Sequence, residues 1–380
     1  MKKIVLGGRA IITGQGSIAE LAGIQAGRAF IVTGGKAMQT SGVIDRIEAL
    51  LQGAGCTTQV YGGIGKNPDT QAVLDGLQSM RKFGPDLLVA VGGGSPIDAA
   101  KVMALFYDYP ELDFAKAQAG DLPAVRKNLQ FVAIPSTSGT GAEVTKAAVI
   151  TFREQNLKIG LKTPAFIPDL AILDADITMT MPGHVVAETG MDALTHAVEC
   201  YINSSRDDFS EVLAKGAVAG LFSWLPVSYQ DKTVESREKV HHYQCLAGLA
   251  FDNTGLGMAH GIAHALGGKL DLGHGLLNAI ALPYVLEFNA RSMEVASRLD
   301  ELARIIGRRD CQDFIAAVKE LNRTLAVPAG LEQAGVNREA FSEGFAELVE
   351  NCLKGSTRVN PVPVFKEEMA EILWYLYEGV

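Results

Sequence analysis

The residues of this chain best suited to chemistry are a carboxylate and several imidazoles in apolar surroundings. Asp192 and His196 lie four residues apart in GMDALTHAVE (190–199), so a helix would place both on one face. Farther along, GLGMAHGIAHALGGKLDLGHG holds His260 and His264 four residues apart and His274 in a glycine-flanked turn. Each polar group buried alone would lose its hydration at a high cost in free energy. A mutual hydrogen bond, another polar group or a metal ion must therefore compensate them.

The composition of this cluster favours a metal site. The chain has seven histidines, and three of them fall within residues 260–274, among Gly, Ala, Leu and Ile. A single histidine in such surroundings is more often a hydrogen-bonded core residue, but several histidines with a carboxylate favour metal ligation. Imidazole and carboxylate ligands without thiolate suit Fe(II) or Zn(II), and the sequence leaves that choice open.

A glycine loop is suited to binding phosphate. The stretch VAVGGGSPIDAAK (89–101) reads as a strand, three glycines and a helix. Gly93 and Gly94 permit close backbone approach to a ligand, and the helix N-terminus attracts an anion. We expect Ser95 to be the N-cap, with Asp98 completing a capping box. A capped turn without a ligand is the alternative, but three successive glycines exceed what such a turn needs.

A loop of small hydroxyl side chains follows the next apolar strand. The stretch IPSTSGTGAEVT (134–145) contains Ser136, Thr137 and Ser138, small hydroxyls at the carboxyl end of a strand that suit contacts to phosphate, ribose or amide groups. Thr140 and Glu143 have capping-box spacing, so we expect a second helix to begin there. Clusters of Ser, Thr and Gly are usually ordinary loops. The hydroxyl loop therefore supports a ligand site only because it is predicted to lie beside the glycine loop.

The elements that must position these residues fall into two halves. In the first half, the apolar runs GRAFIVTGG, PDLLVAVGGG and LQFVAIPST alternate with helical segments at 42–53 and 69–83. This alternation predicts a parallel sheet covered on both faces, with ligands at the carboxyl ends of the strands. From about Pro182 onward helical patterns dominate, at 186–201, 208–223, 237–251 and 338–352. We predict an α/β domain over residues 1–181 and an all-α domain over residues 182–380.

Composition and charge argue against other classes of protein. The formal net charge of −9 disfavours nucleic-acid binding, which needs clustered Lys and Arg. The five cysteines are scattered and odd in number, which fits reduced thiols in a cytoplasmic protein. The longest apolar stretch, GLLNAIALPYVL, is too short to span a membrane. Because Arg9 interrupts the apolar N-terminus, we expect a first strand there rather than a signal peptide.

At these motifs the sequence resembles the iron-containing (group III) alcohol dehydrogenases. GGGSPIDAAK, IPSTSGTGAEVT, GMDALTHAVE, HGIAHALGG and GHG occur in the order and spacing of that family and cover nearly the whole chain. The resemblance implies a Rossmann-like dinucleotide-binding domain followed by a helical metal-binding domain, a dehydroquinate synthase-like architecture. It also implies a homodimer or a higher homo-oligomer.

The resemblance assigns roles by position. The implied metal ligands are Asp192, His196, His260 and His274, and His264 is implied to lie near the substrate, where it can pass the proton of the alcohol outward. Lys158 taken by itself would be interpreted as a solvated surface lysine. The expected dinucleotide-binding residues are Gly34, Asn67, Gly93, Gly94, Ser95, Asp98, Ser136, Thr137, Thr140 and Lys158.

Two departures from the family bear on the cofactor and the pocket. Many NAD-using members carry an acidic residue where this chain has Gly34, so no carboxylate excludes a 2′-phosphate, and Lys36 can pair with one. We therefore expect NADP, or use of both NADP and NAD. The proline that precedes the last metal-binding histidine of the family is Gly273 here, which reshapes the pocket without removing a ligand.

The expected reaction is reversible hydride transfer between a primary alcohol or diol and its aldehyde, with the metal as a Lewis acid on the substrate oxygen. One alternative is a zinc-dependent polyol dehydrogenase of the glycerol type. Another is a lyase resembling the dehydroquinate synthases, in which the nicotinamide is retained. A nucleotide- and metal-binding module without catalysis is disfavoured by the cluster of titratable groups beside a cofactor-type loop. The particular alcohol and the physiological direction stay open.

Overall fold

The computed structural model describes residues 2–155, 157–270 and 272–380, which form two compact units. One unit is Val5–Met181, and the other is Pro182–Val380 together with residues 2–4. Lys2 contacts the unit of residues 182–380 to which it belongs. The ammonium of Lys2 donates to the carbonyl oxygen of Ser205 at 2.6 Å and forms an ion pair with Asp207.

The Val5–Met181 unit is built on a parallel sheet. Its strands are β1 (Ala10–Thr13), β2 (Arg28–Gly34), β3 (Thr57–Ile64), β4 (Leu87–Gly92), β5 (Gln130–Pro135), β6 (Ala147–Phe152), β7 (Leu157–Lys162) and β8 (Leu170–Leu173). Within the described residues the main sheet has the order β1-β8-β5-β4-β2-β3, and every neighbouring pair is parallel. β6 and β7 form a separate antiparallel pair.

The helices of this unit alternate with its strands, as the sequence predicts. They are α1 (Ala37–Thr40), α2 (Val43–Gly53), α3 (Thr70–Phe83), α4 (Gly94–Asp108), α5 (Phe114–Gln118) and α6 (Ala175–Thr178). The helices expected at 42–53 and 69–83 correspond to α2 and α3. Asp69 caps α3, because its carboxylate accepts the amide hydrogen of Ala72 at 2.8 Å.

The sheet is covered on both faces. β4 is buried along its whole length. Because successive side chains of a strand point to opposite faces, Leu88 and Ala90 enter one hydrophobic core while Leu87 and Val89 enter another. The α/β architecture with a doubly covered parallel sheet is therefore confirmed.

The other unit is helical. Its helices are α7 (Gly183–Ile202), α8 (Asp208–Gln230), α9 (Val234–Thr254), α10 (Met258–Lys269), α11 (His274–Asn289), α12 (Met293–Ile305), α13 (Cys311–Thr324), α14 (Arg338–Ser342), α15 (Phe345–Cys352) and α16 (Lys366–Glu378). No strand occurs in the described parts of this unit, 182–270 and 272–380. The all-α class predicted for this half of the chain is confirmed.

Three of the expected long helices are α7, α8 and α9, and each is longer than predicted. The prediction of a single helix at 338–352 is wrong. Two helices, α14 and α15, occupy that stretch, and between them Gly344 has a left-handed backbone with φ 60°. A left-handed residue ends the helical path, and glycine adopts it without steric cost.

α8 is the one helix in the described residues that is long and apolar enough to cross a bilayer. It also packs closely on its neighbours in this unit, with Gly220 against the ring of Tyr243 in α9 and Leu225 against Gly190 in α7. Core helices of water-soluble proteins pass the same test of length and composition. Its composition is therefore weak evidence for a membrane span.

We expect the contact at Gly190 to be sensitive to a single methyl group. A Cβ on Gly190 would lie 2.2 Å from Leu225 Cδ1, so Gly190→Ala should lower the free energy of unfolding by about 1–3 kcal/mol. Gly216→Ala in α8 is the matched control, because the nearest atom to its Cβ, Leu246 Cδ1, would be 3.9 Å away. The free energy of unfolding of this control should rise by about 0.5–1 kcal/mol. Urea denaturation measures both, and equal changes would contradict this packing argument.

Candidate metal and cofactor sites

Three of the four expected metal ligands lie together in the helical unit. Asp192 of α7, His260 of α10 and His274 of α11 each offer a donor atom, and these atoms lie within 4.8 Å of one another. Asp192 Oδ1 is 3.7 Å from Nε2 of His260 and 3.7 Å from Nε2 of His274. Two imidazole nitrogens therefore converge on one carboxylate oxygen.

His196, the fourth expected ligand, lies beside this group but is not one of its three members. Its ring stacks on the ring of His260 with the centroids 4.5 Å apart. It also stacks on Phe251 of α9 with the centroids 4.4 Å apart. The helical spacing therefore brings His196 to the cluster, packed between two rings.

His264 lies one turn after His260 in α10, outside the group of three. Its ring stacks on that of His274, with the centroids 4.9 Å apart and the planes at 11°. His264 is half-buried, whereas His260 is completely buried. The two histidines at helical spacing therefore have different surroundings.

The donor set fits a divalent cation. Asp192 and His260 are buried, and Nε2 of His260 has no hydrogen-bond partner among the described residues. A buried nitrogen without a partner is costly unless a ligand engages it. The donors are nitrogen and oxygen without thiolate, which suits Fe(II) or Zn(II).

Neighbouring charges shift the pKa values of Asp192 and His260 in the direction opposite to that of burial. Burial raises the pKa of Asp192 through desolvation, but the neighbouring imidazoles, His196 foremost, hold it well below its usual range. Burial lowers the pKa of His260, but the carboxylates of Asp192 and Glu199 outweigh this and raise it to about 9. His260 must therefore release a proton before its Nε2 can serve as a metal ligand.

Two residues that sequence reasoning missed contact the expected ligands. Glu199 Oε2 accepts a hydrogen bond from His260 Nδ1 at 2.7 Å. Asn278 Nδ2 donates to Asp192 Oδ1 at 2.7 Å and lies 3.1 Å from His274 Nε2. Helical spacing is the one sequence signal for them, since Glu199 follows Asp192 by seven residues and Asn278 follows His274 by four, but spacing does not show which ligand each contacts.

The glycines around His274 allow α11 to begin directly against α7. The sequence predicts a turn at His274, but His274 is the first residue of α11, and Gly273 is the N-cap. A Cβ on Gly273 would lie 2.7 Å from Glu188 Oε2, and a Cβ on Gly275 would lie 2.4 Å from the carbonyl oxygen of Glu188. Side chains at these positions would therefore push His274 away from Asp192.

The glycine loop begins its helix earlier than expected. The N-cap of α4 is Gly93, so the expectation that Ser95 is the N-cap is wrong. The capping box assigned to Asp98 is also wrong, because its carboxylate accepts the amide hydrogen of Val149 at 2.9 Å and lies 3.7 Å from Lys101 Nζ. Gly92, with φ 146°, lets the chain turn so that the helix begins two residues sooner. Gly93, the N-cap, has no side chain with which to cap this helix start.

The hydroxyl loop lies against the glycine loop. A Cβ on Gly93 would be 3.4 Å from Thr137 Oγ1, and a Cβ on Gly94 would be 3.0 Å from Thr140 Cγ2. The two loops therefore meet closely, and at Gly94 a side chain would crowd Thr140. Glycine backbone, a helix N-terminus and threonine side chains form a cradle of the kind that binds a pyrophosphate.

Ser136 belongs to the same edge of the sheet, since its amide donates to the carbonyl oxygen of Gly92 at 2.8 Å. The helix start expected at Thr140 is wrong. Only a short 3-10 helix, Ala142–Val144, follows, and its N-cap is Gly141. Thr140 Oγ1 accepts the amide hydrogen of Ala142 at 3.3 Å, which makes a local turn instead of a capping box.

Asn67 and Lys158 lie next to each other. The ammonium of Lys158 donates to Asn67 Oδ1 at 3.1 Å. Asn67 has a left-handed backbone with φ 53°, which asparagine tolerates better than most residues. Lys158 is therefore held by a neighbour and is not an isolated surface lysine.

Gly34 has a packing reason to be glycine. A Cβ there would lie 2.7 Å from the carbonyl oxygen of Ile64 and 3.6 Å from Pro96 Cδ. The absence of an acidic side chain at this position therefore does not by itself argue for NADP. Lys36, two residues later at the start of α1, is exposed.

Comparison with known proteins identifies the family of this chain. Residues 8–175 match the family model described as iron-containing alcohol dehydrogenase, and residues 186–377 match the C-terminal model of the Fe-containing alcohol dehydrogenase family. The chain is 37% identical to the NADPH-dependent butanol dehydrogenase of Clostridium saccharobutylicum, over 98% of this chain and 97% of that protein.

Two further similarities concern a longer protein and a solved structure. The aldehyde-alcohol dehydrogenase of Streptococcus pneumoniae serotype 2 is 36% identical over 92% of this chain, which spans only 43% of that protein. The structure of the iron-containing alcohol dehydrogenase from Thermococcus thioreducens has a TM-score of 0.91 at 35% identity, covering 99% of this chain and 100% of that one. The chain therefore belongs to the iron-containing alcohol dehydrogenase family.

Proposed function

We propose that this chain is a metal-dependent, NADP- or NAD-linked alcohol dehydrogenase that interconverts a primary alcohol or diol and its aldehyde. The convergence of Asp192, His260 and His274 within 4.8 Å carries this proposal. Membership of the family supports alcohol/aldehyde oxidoreductase chemistry. When bound, the cation supplies Lewis acidity at the substrate oxygen and the nicotinamide exchanges a hydride with the substrate carbon.

In this proposal residues 182–380 hold the metal and residues 1–181 hold the dinucleotide. Asp192, His196, His260 and His274 are the ligands, and Fe(II) is the metal, with Zn(II) as the alternative. Asp192 is the only anionic member of these four, so the site keeps a net positive charge with a divalent cation. The half-buried His264, stacked on His274, is placed to pass the proton of the alcohol outward.

The dinucleotide is proposed to lie along the carboxyl ends of β4 and β5. The first-turn amides of α4 and the backbone of Gly93, Gly94 and Ser95 bind the pyrophosphate. The positively charged ammonium of Lys158, which donates to Asn67, binds the same dinucleotide. The other residues proposed to line the cofactor are Gly34, Asp98, Ser136, Thr137 and Thr140.

We also propose a cytoplasmic homodimer. All five cysteines are free thiols, and four of them are buried, which supports a reducing compartment. Light scattering measures the oligomeric state, and a monomer at micromolar concentration would contradict the dimer.

Replacing His260 should remove the metal. We expect His260→Ala to lose bound Fe(II) and to lower turnover by about a thousandfold or more, because Lewis-acid stabilisation is worth several kcal/mol. The control is His184→Ala, an exposed histidine in the first turn of α7. Metal content after anaerobic reconstitution and alcohol turnover are measured together. A His260→Ala variant with full metal content and activity would overturn the proposal.

Replacing Lys36 should distinguish the two nicotinamide cofactors. If Lys36 pairs with the 2′-phosphate, Lys36→Ala should raise the KM for NADPH about tenfold, which is the scale of one charge-assisted hydrogen bond. The KM for NADH should be unchanged. Lys82→Ala, an exposed lysine at the far end of α3, is the control. Equal effects on both cofactors would exclude a contact with the 2′-phosphate.

The same assays test the alternative functions. A lyase that retains its nicotinamide should give no net change in nicotinamide absorbance with simple alcohols. A zinc-dependent polyol dehydrogenase should prefer diols and glycerol after reconstitution with Zn(II). We expect net NAD(P)H formation with primary alcohols, and higher turnover with Fe(II) than with Zn(II).

A further inference from the structure

Glu199, the last residue of GMDALTHAVE, joins the candidate metal cluster to the start of another helix. Its side chain is 1% exposed. Its Oε2 accepts hydrogen bonds from His260 Nδ1 at 2.7 Å and from the amide of Gly257 at 2.8 Å. Its Oε1 accepts the amide hydrogen of Ala259 at 2.6 Å. One buried carboxylate therefore binds three N–H groups at the beginning of α10.

These contacts decide which nitrogen of His260 can act as a donor to a metal. An ionised carboxylate only accepts hydrogen bonds, so Nδ1 of His260 carries a proton. Once the ring has released its second proton, the lone pair is therefore on Nε2, the atom that lies 3.7 Å from Asp192 Oδ1 and has no hydrogen-bond partner in the described part of the chain. Without Glu199 the ring could carry its proton on either nitrogen.

The same carboxylate fixes where the ring lies. Gly257 is the N-cap of α10 and, as a glycine, has no side chain to cap the helix. Its amide and that of Ala259 are held by Glu199, so the first turn of α10 is fixed to α7. A Cβ on Gly257 would lie 2.9 Å from Glu199 Oε1, so the backbone approaches this carboxylate closely. His260 lies in this fixed first turn.

We propose that Glu199 is a positioning residue that sets metal affinity by holding both the tautomer and the position of His260. This inference rests on the proposed function, because it assumes that His260 is a metal ligand. Hydrogen-bonded partners behind metal ligands typically change metal affinity about 10–100-fold when they are removed. Glu199 differs from a simple helix cap because its oxygen Oε2 serves the helix start and the ligand at once.

The first experiment compares Glu199→Gln with Asp174→Asn. Asp174 is the matched control, a buried carboxylate in the other unit that accepts the backbone amides of Gly16, Ile18 and Asp176. Zinc affinity is measured by competition with a chromophoric chelator, and thermal unfolding of the metal-free variants is measured alongside. We expect Glu199→Gln to bind zinc about 10–100-fold more weakly. Asp174→Asn should lower the melting temperature while zinc affinity stays within about twofold.

The second measurement does not depend on the folding of Glu199→Gln. Long-range ¹H–¹⁵N correlation of histidine-labelled wild-type protein loaded with zinc reports which nitrogen of His260 is protonated, and the His260→Ala spectrum assigns the signal. We expect protonated Nδ1 and metal-bound Nε2. Coordination through Nδ1, or unchanged zinc affinity in Glu199→Gln, would overturn the role of Glu199. If the wild type binds no zinc or iron at all, the proposed function itself fails.

Discussion

Burial of the Asp192 carboxylate is the constraint around which the helical unit is arranged. A charge inside α7 among apolar neighbours needs partners that restore what hydration would supply. Those partners come from two other helices, with His260 on α10 and both His274 and Asn278 on α11. Because the carboxylate and its partners lie on three helices, the relative positions of α7, α10 and α11 are fixed by the site. The same contacts therefore pack this unit and arrange its metal site.

Close backbone approach is how the unit meets that constraint. Gly190 admits Leu225, while Gly273 and Gly275 bring α11 onto the backbone and side chain of Glu188. Each of these glycines lies within two residues of an expected metal ligand. The motifs GMD and GHG are thus explained by the contacts of the glycines as much as by the chemistry of Asp192 and His274.

The Val5–Met181 unit solves a different problem, the gathering of loops at one edge of a sheet. β4 and β5 are neighbours in register, with Gly92 paired to Pro135. The segments that follow these strands must therefore meet, and Gly93 and Gly94 lie against Thr137 and Thr140. Neither loop is specific alone, but parallel pairing of the two strands makes a single cradle of them.

The sequence by itself determined the central strands β2, β4 and β5, the helices α2, α3, α7, α8 and α9, and the residue types of both sites. These follow from local periodicity, because apolar runs identify buried strands and helical spacing puts Asp192 and His196 on one face. Local rules were wrong where several local solutions compete, at the N-cap of α4 and at Gly344 between α14 and α15.

Only the tertiary structure decided which residues support the ligands. Glu199 meets His260 across 61 residues of chain, and Asn278 meets Asp192 across 86. The same holds for Gly34, whose need for glycine comes from the carbonyl oxygen of Ile64 on the neighbouring strand. Local sequence encodes the path of the backbone through each element, but a hydrogen bond or a steric contact between distant residues exists only after the elements have packed.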